Sequence, residues 1–170
     1  MASRFESSQQ EQEEIQDNQY IMFTVGDQEF GVDIMQTREI INMTELTDMP
    51  NSPDFIKGVV NLRGEIVPIV DLQKKLMVNG KYQEEQEGRI IVVSIDDNLV
   101  GMQVNQVEGI IRLNEAEIGD APDITQGVRR NFIKGVGKLE DRLLIILDLA
   151  SILTAEEVEE LEELDMNQED

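Results

Sequence analysis

The stretch FIKGVVNLRGEIVPIVDL at residues 55–72 recurs later in the chain as FIKGVGKLEDRLLIILDL at residues 132–149. The alignment runs without a gap over 54–76 and 131–153. Upstream, YIMFTVGDQEFGVDIMQTREII (20–41) is similar to IIVVSIDDNLVGMQVNQVEGII (90–111). The chain is therefore a duplicated unit, with one copy at about residues 20–80 and the other at about 88–153. A solenoid normally needs about three or more repeats, so two copies predict a pseudo-symmetric pair.

Each copy has the pattern of short β-strands separated by turns. An apolar run at residues 20–25 precedes a Gly-Asp-Gln turn, after which apolar and polar residues alternate. Residues 66–70 and 143–147 are unbroken apolar runs, which are typical of strands buried on both faces. Pro68 has no backbone N–H, so we expect an edge or a bulge at that position. Since one copy buries little apolar surface by itself, the sequence predicts an all-β protein of two small barrels that share a core.

Helical structure is predicted only in short segments and at the C-terminal end. Asp71 and Asp148 each follow an apolar run and have the position of an N-cap before one helical turn. The sequence TAEE at 154–157 matches a capping box and predicts an acidic C-terminal helix and tail over 154–170. Residues 1–18 are polar and acidic, which predicts a disordered N-terminal tail. The folded body is expected to extend over residues 19–153.

The composition limits the chemistry that this chain can perform. It contains no cysteine and no histidine, so disulfides, thiolate metal sites and the commonest general base are excluded. We therefore expect no metal, no cofactor and no enzymatic activity. With 14 basic and 36 acidic residues the formal net charge is −22, which disfavours nucleic acid and membrane surfaces as partners. No apolar run is long enough for a signal core or a membrane span, which predicts a cytoplasmic protein.

The two copies differ at the turn between their last two predicted strands. The first copy has Asn61-Leu62-Arg63-Gly64 where the second has Lys138-Leu139-Glu140-Asp141. Gly64 is suited to the positive φ of a two-residue hairpin turn, and Arg63 would then point outward as a lone cation on an acidic body. An exposed turn arginine without a role is one interpretation. The other is a recognition anchor, because arginine is enriched among interface hot spots.

The NLRG-centred stretch, the preceding FTVGDQEFGVDIMQTREII and the Pro-x-x-Pro loop of Pro50 and Pro53 resemble the CheW family of bacterial chemotaxis coupling proteins. The resemblance covers about residues 18–155 and implies two intertwined five-stranded SH3-like β-barrels that exchange strands around a common core. It also implies a non-enzymatic adaptor that couples the cytoplasmic tips of chemoreceptors to the regulatory domain of the histidine kinase CheA. Such an adaptor joins membrane receptor arrays through protein contacts, without touching the membrane itself.

The resemblance further implies which residues bind the receptor. They lie on the first NLRG hairpin and on the QTREII stretch: Lys57, Gly58, Asn61, Arg63, Gly64, Thr37 and Glu39. Gly101 and Gly135 align with family glycines that are linked to coupling. A turn or close-packing role explains these two glycines equally well.

The sequence also has three alternative interpretations. An enzyme would need an acid/base pair such as Asp71 and Asp148, but their identical place in the repeat is better explained by N-caps. The sequence Gly135-Val-Gly-Lys138 lacks both the first glycine and the final Ser/Thr of a phosphate loop. A small-molecule-sensing barrel and an adaptor of a chemotaxis-like motility pathway remain as the other two.

Overall fold

The computed structural model describes residues 18–76, 88–120 and 132–153. The strands in these ranges are β1 (Asn18–Val25), β2 (Gln28–Asp33), β3 (Thr37–Asn42), β4 (Ile56–Leu62), β5 (Glu65–Asp71), β6 (Arg89–Ile95), β7 (Asn98–Val104), β8 (Gln106–Leu113), β9 (Ile118–Gly119), β10 (Ile133–Lys138) and β11 (Leu143–Leu147). Short helices α1 (Leu72–Leu76) and α2 (Leu149–Ile152) follow β5 and β11. None of the helices in the described ranges has the length and apolarity that a membrane crossing requires. The predicted C-terminal acidic helix and all but the last residue of the predicted N-terminal tail lie outside those ranges.

The strands form two sheets, and each sheet takes strands from both sequence repeats. The order is β8-β1-β2-β11-β10-β9 in one sheet, which we call barrel A, and β3-β6-β7-β5-β4 in the other, barrel B. β1 and β2 of the first repeat thus pair with strands of the second, and β6 and β7 of the second repeat complete barrel B. The predicted all-β fold of two intertwined SH3-like barrels is confirmed. Barrel A has one strand more than expected, because the two-residue β9 pairs with β10.

Two-residue turns set the register of the hairpins in barrel B. Arg63 and Gly64 join β4 to β5 with φ of 53° and 88°, and Asp96 and Asp97 join β6 to β7 with φ of 50° and 66°. Positive φ at both central residues defines a type I′ turn, whose twist matches that of the flanking strands. Positive φ thus extends to Arg63 itself, one residue before the glycine where the sequence predicted it.

The largest apolar cluster lies between the barrels and takes side chains from both. It includes Phe23 of barrel A and Ile91 of barrel B, while smaller clusters fill the interior of each barrel. Successive side chains along a strand point to opposite faces, so in β1 Tyr20 packs inside barrel A and Ile21 packs in the shared cluster. The two barrels are therefore joined by one continuous cluster of packed apolar side chains.

Asp71 and Asp148 are N-caps, as the sequence predicted. A carboxylate oxygen of each accepts a hydrogen bond from a backbone N–H in the first turn of the following helix, at 3.2 and 3.1 Å respectively. Their own N–H groups donate to the carbonyl oxygens of Phe55 and Phe132, at 2.7 and 2.8 Å. The same arrangement in both repeats gives these aspartates a structural role.

The prediction of an edge or bulge at Pro68 is wrong. Its strand, β5, lies between β4 and β7, and Pro68 is opposite Val59 of β4. Counting from the two-residue turn, this pair belongs to the non-hydrogen-bonded class, so the ring nitrogen points toward β7. The parallel ladder with β7 begins one residue later, at Ile69. Proline is tolerated because no ladder bond is required from it there.

Candidate functional site

Arg63, at the tip of the β4–β5 hairpin, forms a two-pronged ion pair with Glu39 of β3. Its Nη1 donates to Oε2 at 2.6 Å and its Nη2 donates to Oε1 at 3.2 Å. The Arg63 side chain is 75% exposed and that of Glu39 is 24% exposed. The sequence predicted a lone cation here, which is wrong, because closure of the barrel brings a carboxylate of the distant strand β3 to the tip.

The ion pair spans the side on which barrel B closes. β3 and β4 are the two edge strands of the five-stranded sheet, so the barrel closes where these two strands approach each other. On the same side Thr47 and Val59 exchange two backbone hydrogen bonds of 2.9 Å. We call this side, defined by these two backbone bonds and by the pair of Arg63 and Glu39, the closing seam.

The positive charge of Arg63 is stabilised by its partner. The hydrogen bond with Glu39, and then its negative charge, raise the pKa of Arg63 above the ordinary value of a guanidinium group. Since a free arginine is already protonated at physiological pH, Arg63 carries its positive charge with or without the partner. The planar guanidinium is held in one orientation by two bonds, which preorganises it for contact with a partner.

Asn61 and Gly64 shape the turn that carries Arg63. The N–H of Gly64 donates to Oδ1 of Asn61 at 2.8 Å. With φ of 88°, Gly64 adopts a conformation that residues with a Cβ take only with strain. These two predicted residues therefore position Arg63.

A cleft of about 550 Å³ lies beside the ion pair. It is lined by residues of β3, β6, the β4–β5 tip and the β6–β7 turn: Arg38, Glu39, Leu62, Arg63, Glu65, Val92, Ser94, Asp97 and Leu99. Val92 belongs to the core of barrel B, and Leu62 and Leu99 pack against that core. The cleft thus has an apolar base and a rim of two arginines and three carboxylates. Within the described ranges, no group of three or more acidic side chains is placed to hold a metal ion.

Five predicted site residues are absent from the lining of the cleft, namely the two that shape the turn and three others. The hydroxyl of Thr37 donates to the carbonyl oxygen of Asp33 at 3.3 Å and closes a short 3₁₀ turn. Lys57 is the extra residue of a bulge near the start of β4, far along the strand from the tip. Gly58 is buried, and a Cβ there would lie 2.7 Å from the carbonyl oxygen of Thr47. Gly58 is therefore needed for the close approach of backbones at the closing seam.

Gly101 and Gly135 occupy tightly packed positions inside the barrels. A Cβ at Gly101 would lie 2.5 Å from Cδ1 of Ile69 and 2.8 Å from Cγ2 of Ile90. At Gly135 it would lie 2.7 Å from Cγ2 of Ile118. Real Cβ atoms do not approach other heavy atoms so closely, so these contacts favour a packing role for both glycines.

Sequence analysis missed three charged residues of the cleft, namely Arg38, Glu65 and Asp97. Arg38 could have been found from the repeat, because its equivalent in the second copy is Glu108 and the charge is reversed. Glu65 carries the same signal, since its equivalent in the second copy is Arg142, whereas none marks Asp97, which belongs to the turn that flanks the cleft.

The second repeat cannot form the same ion pair. The residues equivalent to Arg63 and Glu39 are Glu140 and Gly109, a carboxylate and a residue without a side chain. The hairpin tip differs as well, since the N–H of Leu139 donates to the carbonyl oxygen of Arg142 across a four-residue loop. The pseudo-symmetry of the fold therefore does not extend to the site.

Comparison with known proteins agrees with this architecture. The model of the CheW-like domain family matches residues 19–157. Chemotaxis protein CheW of Rhizobium meliloti is 40% identical over 141 residues, which are 82% of this chain and 89% of that protein. Chemotaxis protein CheW of Klebsiella aerogenes is 36% identical over 140 residues, or 82% of this chain and 84% of the relative.

A solved structure extends the similarity to the fold. The scaffolding protein TtCheW from Thermoanaerobacter tengcongensis matches with a TM-score of 0.75 and 30% sequence identity, covering 83% of this chain and 95% of that one. Family model, sequence relatives and solved structure agree over most of the chain. The chain therefore belongs to the CheW family of chemotaxis adaptor proteins.

Proposed function

We propose that this protein links the cytoplasmic tips of chemoreceptors to the histidine kinase CheA, and that the receptor tip binds at the cleft beside Arg63 and Glu39. The observation that carries the proposal is the preorganised ion pair on the rim of an apolar-based cleft. Arginine residues in such settings are frequent hot spots of protein interfaces. The same position in barrel A carries Glu140, so the two barrels offer different surfaces to partners.

The cleft suits the side of a helix. A helical partner presents a ridge of side chains, and one apolar side chain of that ridge can bury itself against Leu62 and Leu99. The charged rim then fixes the rotation of the helix, since Arg63 and Glu39 together offer both donors and acceptors. A contact of about 800 Å² per partner or less would be transient by itself and strengthened by the many contacts of an array.

The role of the protein in this scheme is mechanical and not catalytic. The receptor tip contacts barrel B, the regulatory domain of CheA contacts surfaces outside the cleft, and the shared core between the barrels keeps the two contacts in one geometry. The protein would act in the cytoplasm and reach the membrane array through these protein contacts. Neither nucleic acid nor lipid is required, in keeping with the net charge of −22.

A binding assay with a receptor signalling-tip fragment and with CheA tests the proposal. Replacing Arg63 by alanine is expected to weaken tip binding about tenfold or more while CheA binding is kept. Glu140→Ala, at the equivalent tip of barrel A, is the matched control and should bind the fragment like the wild type. Equal binding by Arg63→Ala would show that the site is elsewhere, and a wild-type protein that binds neither partner would overturn the function.

A further inference from the structure

Both arginines of the cleft in barrel B are replaced by glutamates at the equivalent positions of barrel A. The repeats place Arg38 opposite Glu108 and Arg63 opposite Glu140. Arg38 is the extra residue of a bulge in β3, where β3 pairs with β6, and Glu108 is the extra residue of a bulge in β8, where β8 pairs with β1. Both side chains are exposed. Bulges of this kind aim a side chain away from the strand, so the fold presents two opposite charges in the same way.

The two arginines of the cleft differ in whether the guanidinium group is already bonded to a carboxylate. Both terminal nitrogens of Arg63 are bonded to Glu39, so its positive charge is already matched. Arg38 lines the same cleft, and its side chain forms no hydrogen bond or ion pair with any described residue. The unmatched positive charge of the rim therefore belongs to Arg38.

We infer that Arg38 makes the cleft selective for a partner segment with a carboxylate facing β3. This inference rests on the proposed function and adds the chemistry of the partner to it. Acidic residues outnumber basic ones in this chain, 36 to 14, so a free guanidinium on the rim offers an acidic segment an attractive contact that few other places provide. The equivalent place on barrel A carries the carboxylate of Glu108 and offers no such cation.

Charge reversal at the two equivalent positions tests the inference, with a receptor signalling-tip fragment as the probe. Arg38→Glu is expected to raise the Kd about tenfold and to flatten its dependence on salt, because an attractive contact becomes repulsive. Arg38→Lys should keep most of the affinity. Glu108→Arg is the matched control, and its Kd should stay within about twofold of the wild type because barrel A does not contact this segment.

The outcomes separate the inference from the proposed function. Unchanged or tighter binding by Arg38→Glu, with the Arg63 dependence intact, would overturn the inference and leave the binding site in place. Tighter binding would mean that the segment is basic and meets Glu65 and Asp97. A reversal of Glu to Lys on the tip fragment that restores binding to Arg38→Glu would identify the carboxylate. Failure of the wild-type protein to bind the fragment would overturn both.

Discussion

The ammonium group of Lys75 lies 4.4 Å from the ring centre of Phe55 and 5.9 Å from that of Phe132. The two phenylalanines are equivalent in the repeats, and each leads into the first strand of its NLRG-type hairpin. Lys75 thus contacts both halves of the molecule, whereas the residue equivalent to it in the second copy is the buried Ile152. The two equivalent aromatic rings are therefore near one lysine that has no charged equivalent in the second repeat.

Lys75→Met is expected to lower the free energy of unfolding by about 1 kcal/mol. Methionine retains the length and apolar contacts of the side chain but removes the attraction between the cation and the rings, which is worth about 0.5–2 kcal/mol. Urea unfolding followed by circular dichroism measures the difference. Lys74→Met, a change at the exposed neighbour, is the control and should shift the free energy by less than about 0.5 kcal/mol. Equal stability of the two variants would contradict the prediction.

Gly101→Ala is expected to destabilise the protein by about 1–3 kcal/mol, because the added methyl overlaps Ile69 and Ile90 within the sheet. Thermal or urea unfolding checks this. The control is Gly119→Ala, where the nearest atom is the flexible Cε of Lys138 at 3.4 Å and little change is expected. A Gly101→Ala protein with wild-type stability but without coupling of receptor to kinase would favour the signalling role over the packing role.

The parts of the fold that depend on local sequence were predictable. The N-caps at Asp71 and Asp148 and the turn at Gly64 need only neighbouring residues, so their patterns were sufficient. Strand exchange between repeats was not derivable from periodicity, because an alternating pattern fixes which face is buried but not which strand is the neighbour. That part of the prediction came from the resemblance to the CheW family.

The geometry of the site was harder to predict than the fold. Glu39 and Arg63 are far apart in sequence and meet because two sheet edges close on each other, so Glu39 was named without its role as the partner of Arg63. The resemblance to the CheW family predicts Lys57 and Thr37 on the same surface as Arg63, whereas the structure places Lys57 in a bulge near the start of β4 and Thr37 at a 3₁₀ turn, and neither lines the cleft. A residue that is close to the NLRG motif in sequence does not line the cleft when a bulge or the length of a strand separates it from the hairpin tip.

Reversing one charge of the Arg63–Glu39 pair is expected to loosen the closing seam, and reversing both is expected to restore it. Arg63→Glu and Glu39→Arg each place like charges together between the two edge strands, whereas the double variant re-forms the pair in the opposite direction. Hydrogen exchange at the N–H groups of Thr47 and Val59, which bond across the same seam, should be roughly threefold faster in each single variant.

Glu140→Arg is the control for this charge reversal. It changes the equivalent tip of barrel A, where Gly109 offers no side chain to pair with. Exchange at Thr47 and Val59 should therefore match the wild type in this variant. Wild-type exchange rates in both single variants of the pair would mean that the backbone bonds close the seam without help from the ion pair.

The contribution of Arg63 is expected to be independent of pH between about pH 7 and pH 10. A pKa raised in the folded state gives stability that is fully present below the unfolded pKa and is lost as pH rises through the folded pKa. For Arg63 this window lies at higher pH than the range considered, because Glu39 raises the pKa of Arg63 above the ordinary guanidinium value. Binding of the receptor tip fragment and exchange at the seam, each compared with Arg63→Ala across this range, should show a constant difference. The chain has no histidine whose titration would obscure the lower part of the range.

Arg63→Lys supplies the contrast, since it keeps a positive charge on a group that titrates at an accessible pH. An ordinary lysine loses its proton near pH 10.4 and cannot form both bonds to Glu39, so the lysine variant should lie between the wild type and Arg63→Ala near neutral pH and approach Arg63→Ala as the pH rises past about 10. Arg63 itself remains charged at that pH, so the wild type should still differ from Arg63→Ala in binding and in hydrogen exchange. If the wild type loses this difference at the same pH as the lysine variant, a group other than the guanidinium controls the seam and the binding.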